Sequence, residues 1–92
     1  MKVEIDIPEY SPQEGLRLLF DEDYTINARI DSQTVVIQAD RGGLVSLARF
    51  LLTLAQPTVP RGNHFHLDDW GGLEQGSCEL IFDKIATTDG EG

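Results

Sequence analysis

The chain has 92 residues, a net charge of −9 and one cysteine, Cys78. That length holds a single domain, and a lone thiol excludes an internal disulfide framework and suits a reducing compartment. Sixteen acids against seven Lys and Arg exclude the basic footprint that nucleic acid or an anionic membrane surface requires.

Residues 3–7, VEIDI, alternate apolar and acidic side chains, the period of a half-buried strand. They also lack the apolar core of a signal peptide. No run in the chain approaches the roughly 18 apolar residues that cross a bilayer, so the expected location is cytoplasmic. Pro8 and Pro12 bracket a loop. Leu16, Leu18 and Phe20 then alternate, which predicts a strand over 16–20. Ser11-Pro12-Gln13-Glu14 also has the form of a capping box, so a short helix from Ser11 is the alternative.

Asp21-Glu22-Asp23 is a turn, and YTINARI is the clearest strand, with Tyr24, Ile26, Ala28 and Ile30 on one face. Asp31-Ser32-Gln33 turns the chain into a further strand, TVVIQAD. Turns this short join antiparallel neighbours, so the first four strands should form a meander.

After Arg41-Gly42-Gly43 the period becomes helical. Leu44, Leu47, Ala48, Leu51, Leu54 and Ala55 share a face, Asp40 is placed to cap it, and Pro57 and Pro60 stop it. The main helix is expected over about 43–56, with Phe50 and Leu52 widening the apolar face and Arg49, Thr53 and Gln56 pointing out. Next, Phe65 and Leu67 alternate with His64 and His66 in a short strand. Asp68 to Gly76 is a glycine-bearing turn, and SCELIFDKI is the last strand, with Cys78, Leu80 and Phe82 inward.

The expected architecture is α+β: one sheet of about six mainly antiparallel strands with the helix packed on one face. The domain would span 1–86, with a flexible tail over 87–92. Such a sheet leaves its second face open, which gives room for a homodimer through Tyr24, Ile30 or Val36.

The charge is segregated. Residues 41–67 contain Arg41, Arg49 and Arg61 and no acid, so all sixteen acids lie in the remaining segments. An acidic surface of this kind suits a basic protein partner and speeds its encounter.

Several chemistries can be weighed in GNHFHLDDWGG, residues 62–72. His64, His66 and Asp68 fall on one strand face and could ligate a transition metal, although any strand with one wet face shows the same alternation. Cys78 reads as core filling rather than a nucleophile, because it takes an inward strand position between Ser77 and Glu79, and an adjacent acid does not activate a thiol. Asp68 and Asp69, adjacent in sequence, read as turn residues rather than a general acid and base. Arg41-Gly42-Gly43 precedes a helix but fits no phosphate-binding motif. Trp70, in a glycine-flanked turn, either folds back as a lid or stands out as an interface anchor among Asp68, Asp69 and Glu74.

Three ordered blocks carry a family resemblance: G-G-L-V-S-L-A-R-F-L-L-T-L-A-Q, then V-P-x-G-x-H-F-H-L-D, then L-E-x-G-S-x-E-L-I-F-D-K. Together they resemble a small bacterial immunity-protein family of polymorphic toxin systems, over about Gly42 to Lys84. The resemblance implies a cytoplasmic, non-enzymatic protein without cofactors. Its partner would be a cognate toxin domain, often a nuclease, whose active site it blocks. A basic toxin would agree with the acidic balance. Asp68, Asp69, Trp70 and Glu74 are the candidate partner-binding residues. The alternative is a small metal-binding protein using His64, His66 and Asp68.

Overall fold

The computed structural model describes residues 1–86, so the tail expected over 87–92 lies outside the described residues. Five elements follow one another: β1 (Ile26–Asp31), β2 (Thr34–Ala39), α1 (Arg41–Leu54), β3 (His64–Leu67) and β4 (Leu80–Asp83). The fold is α+β with one helix, as expected. The strands, however, form two separate antiparallel ribbons, β1–β2 and β3–β4, and not one six-stranded sheet.

The β1–β2 hairpin follows from alternation and a two-residue turn. Its register runs from Ile26↔Ala39 to Asp31↔Thr34, and Ser32 takes a left-handed backbone with φ 62° at the tip. Ile26 and Ala28 are buried, but the same face emerges from the core towards the tip, leaving Ile30 64% exposed and Val35 and Ile37 also open. Of the residues expected on an uncovered face, Ile30 is therefore exposed. Tyr24 instead stacks on Phe20 at 4.5 Å between ring centroids, and Val36 is half-buried.

The strands expected over 3–7 and 16–20 do not form. Neither pairs with β1. The edge of β1 away from β2 is occupied by residues 74–78: Glu74 N donates to Ile26 O and Cys78 N to Ala28 O, both at 2.8 Å, while Ala28 N donates to Ser77 Oγ. This also explains why the last strand is shorter than expected, since Ser77 and Cys78 serve β1 instead. The alternation inside β4 holds, with Leu80 buried and Phe82 half-buried.

The N-terminal segments bind to α1 by other means. Residues 11–15 form a single turn, neither strand nor helix, closed by Gly15 N donating to Ser11 O at 2.8 Å. Asp21 N donates to Ser46 Oγ, and Arg49 Nη1 donates to Leu19 O and to Asp21 Oδ1, all at 2.9 Å. Gln56 Nε2 donates to Pro8 O, and Gln56 Oε1 accepts from Tyr10 N, each at 3.0 Å.

The helix lies where the sequence places it, and its buried side overlaps the expected face only in part: Leu54 and the widening residue Phe50 are buried and Leu47 packs on the core. Gly43, Ser46, Phe50, Thr53 and Leu54 are buried, whereas Leu44, Leu51 and Leu52 are exposed. Thr53 and Gln56, expected to point out, are buried and half-buried. The cause is close packing at the helix start. A Cβ on Gly43 would run into Thr25 O and approach Ile26 Cγ1 to 2.8 Å, so only glycine lets α1 sit this near β1. The buried hydroxyls are satisfied: Ser46 accepts from Asp21 N, and Thr53 Oγ1 donates to Arg49 O at 2.7 Å.

The core sits between α1 and the two ribbons. Phe50 is its largest fully buried side chain. A run of aromatic contacts connects the parts: Phe20 to Phe50 at 4.7 Å, Phe50 to Phe65 at 5.7 Å and Phe65 to Phe82 at 4.9 Å between centroids. This run fixes the β3–β4 ribbon against the helix, and the loop joining its two strands carries the candidate site.

Candidate functional site: the Trp70 loop and the outer face of the β3–β4 ribbon

β3 reads HFHL, and alternation decides what each side chain meets. Phe65 and Leu67 enter the core, and His64 and His66 face solvent. The antiparallel register sets Asp83 opposite His64 and Ile81 opposite His66. Asp68 continues the solvent face of β3, and Glu79 stands two residues before Ile81, just ahead of β4 on the same face. A ligand atom from each of His66, Asp68 and Glu79 lies within 4.8 Å of the others. His64 is not part of that group. Glu79 is, and sequence reading missed it, because its place depends on the pairing of β4 with β3.

The loop after β3 is built by its own aspartates. Asp68 Oδ1 accepts from Trp70 N at 3.0 Å and Gly71 N at 2.8 Å, the side-chain-to-backbone turn that aspartate favours. Asp69 Oδ2 accepts from Gly76 N at 3.1 Å and ties the two ends of the loop together. Gly72 has φ +101°, and a Cβ there would lie 2.9 Å from Leu67 Cδ2 and 3.1 Å from Phe20 Cζ, so the loop backbone rests directly on the core. Leu73 is buried behind it. Asp68 and Asp69 are thus turn residues, as their adjacency in the sequence indicates.

Trp70 does not fold back as a lid. It is 95% exposed at the apex of this pinned loop, with the exposed Asp69 and Glu74 in the same loop. The arrangement is a rigid, acidic, solvent-facing platform carrying one large aromatic side chain. Cys78 is half-buried and packs against the core cluster, as filling.

The remaining sequence candidates fall elsewhere. Arg41-Gly42-Gly43 opens α1, but the helix N-terminus is already capped by Asp40, whose side chain accepts from Gly43 N. The glycines there serve packing, since a Cβ on Gly42 would collide with Asp23 O. Among the described residues, no helix is long and apolar enough to cross a membrane.

No curated protein and no solved structure matches the chain. A family model described as Immunity protein 32 matches residues 34–85, a span that runs from the start of β2 to just beyond β4 and contains the helix, the Trp70 loop and the His66–Asp68–Glu79 group. That span is more than half of the 92 residues, and the protein is therefore a member of the Immunity protein 32 family.

Proposed function

We propose that this protein neutralises a cognate toxin domain by binding it, without itself catalysing a reaction, and that the Trp70 loop is the anchor of the interface. Family membership supports the toxin-neutralising role. The single observation behind the anchor is the placement of Trp70, 95% exposed on a loop held by four features: the Asp68 turn, the Asp69–Gly76 clasp, Gly72 against the core and buried Leu73. Exposing a tryptophan this fully gains nothing for folding. The loop backbone is already held, so binding need not order it, and interface hot spots are enriched in tryptophan. Asp69, Glu74 and the net charge of −9 set the chemistry of the partner, a toxin surface that is basic. Toxin and immunity protein would meet in the cytoplasm.

The test is binding and protection with the toxin domain encoded beside the protein's gene. Trp70→Ala is expected to raise Kd by roughly 30-fold or more, a loss of about 2 kcal/mol at a hot spot. Glu74→Lys is expected to slow association and flatten its salt dependence. Glu74 is a cleaner probe than Asp69, because the Asp69 carboxylate also closes the loop. Wild-type affinity in both variants would remove the loop from the interface, and failure of the wild-type protein to protect cells from the toxin would remove the role.

A further inference from the structure

Outside the hydrogen bonds that shape the loop, the outer face of the β3–β4 ribbon gathers one imidazole and two carboxylates that form no ion pair with a Lys or Arg among the described residues. His66 and Glu79 are exposed and Asp68 is half-exposed, and one ligand atom from each falls within 4.8 Å of the others. The ion pairs among the described residues are Arg17–Glu14 and Arg49–Asp21, so neither Asp68 nor Glu79 has a Lys or Arg beside it. The grouping is not a local run of acids. It depends on the Leu67↔Leu80 register, which brings two chain segments together across a ribbon whose inner side is locked by Phe65 and Leu67.

We propose that His66, Asp68 and Glu79 bind one divalent transition-metal ion of the zinc class. The donor set selects the metal. An imidazole nitrogen favours zinc-class ions over calcium and magnesium, which prefer all-oxygen shells, and the absence of a thiolate disfavours soft ions. Two carboxylates neutralise the ion's charge. Three protein ligands leave a fourth tetrahedral position for water or for a group from another molecule. Asp68 Oδ1 is already held by Trp70 N and Gly71 N, which fixes the carboxylate plane as an outer-shell partner would. The ion would therefore sit at the base of the Trp70 loop and brace it against β4. The site stands whether or not that loop binds a toxin.

Tag-free protein stripped of metal is titrated with zinc chloride by calorimetry, and its melting temperature is followed with and without zinc. One ion per chain is expected, with a zinc-dependent rise in melting temperature. His66→Gln and Glu79→Gln should each weaken binding by more than about tenfold, the scale on which even an outer-shell partner matters. His64→Gln should bind as the wild type does, because His64 lies outside the group. Both ligand positions are exposed, so the variants should melt as the wild type does without zinc, and that melt identifies any that fail to fold. Absence of zinc binding to the wild type overturns the site. So does binding that persists in both ligand variants, or that is lost equally with His64→Gln.

Discussion

Asp40 accepts two backbone hydrogen bonds on one carboxylate oxygen, from Gly43 N at 2.8 Å and from Thr25 N at 3.0 Å. The first caps α1, and the second holds the segment that leads into β1. The same two bonds, Gly43 before Thr25, hold its carboxyl below the ordinary carboxylate range. The folded-state value is depressed, so the stabilisation is complete above the unfolded value of about 3.9 and is lost as pH falls through the folded value. Asp40→Asn keeps an acceptor oxygen but cannot ionise, and Asp40→Ala removes the cap. Thermal melts from neutral pH downward should show the wild type above Asp40→Asn at neutral pH, with the gap closing once the carboxylate is protonated. Asp40→Ala should stay lowest throughout. Parallel curves for the wild type and Asp40→Asn would mean that the charge contributes nothing at this cap.

The helix shows how far an element can be read from sequence and where that stops. Its extent was legible, because Asp40, the glycines and Pro57 bound a helical period. Its orientation was legible only in part. Of the expected leucine stripe, Leu54 is buried and Leu47 packs on the core, but Leu44 and Leu51 are exposed, and the buried side also carries Gly43, Ser46 and Thr53, whose small size and satisfied hydroxyls allow close approach to β1 and to the 19–21 segment. The pattern of apolar residues cannot reveal a polar group whose partner is distant in sequence. Phe50→Ala should cost about 3–5 kcal/mol, as for other buried aromatics, because the residue is fully buried between Phe20 and Phe65. Leu51→Ala should cost roughly 1 kcal/mol or less, because Leu51 is 44% exposed. Urea melts of the pair decide the matter, and equal costs would restore the leucine stripe to the core. The same boundary runs through the ribbons. The β1–β2 hairpin and the inward side chains of β3 and β4 follow from local alternation. The occupation of β1's second edge by residues 74–78 is a long-range choice that no local period announces. At the site, Trp70 stood out because it fell at no periodic position, whereas Glu79 joins the group only through the β3–β4 register.

At the scale of the molecule, the acids among the described residues are opposed by few direct contacts. Arg17–Glu14, at 3.4 Å, is exposed and contributes little, which leaves Arg49–Asp21, at 2.9 Å and mostly buried, as the stronger pair among the described residues. The described residues extend over 36 × 31 × 29 Å. At about 0.01 M salt the Debye length is roughly 30 Å, so acids on opposite sides still repel, while at about 1 M it falls to roughly 3 Å and only touching pairs persist. Folding concentrates these charges, so screening should favour the folded state. Raising sodium chloride across that range should lift the melting temperature by at least about 4 °C, the equivalent of roughly 1 kcal/mol for a domain of this size. Sodium chloride is the suitable salt, because sulfate would also strengthen apolar burial. The same screening should slow association with a basic partner, so one charge distribution predicts opposite salt effects on stability and on encounter. A melting temperature that falls with salt would mean that attractive pairs dominate the surface, and the acidic excess would then lose its standing as the feature that selects a basic partner.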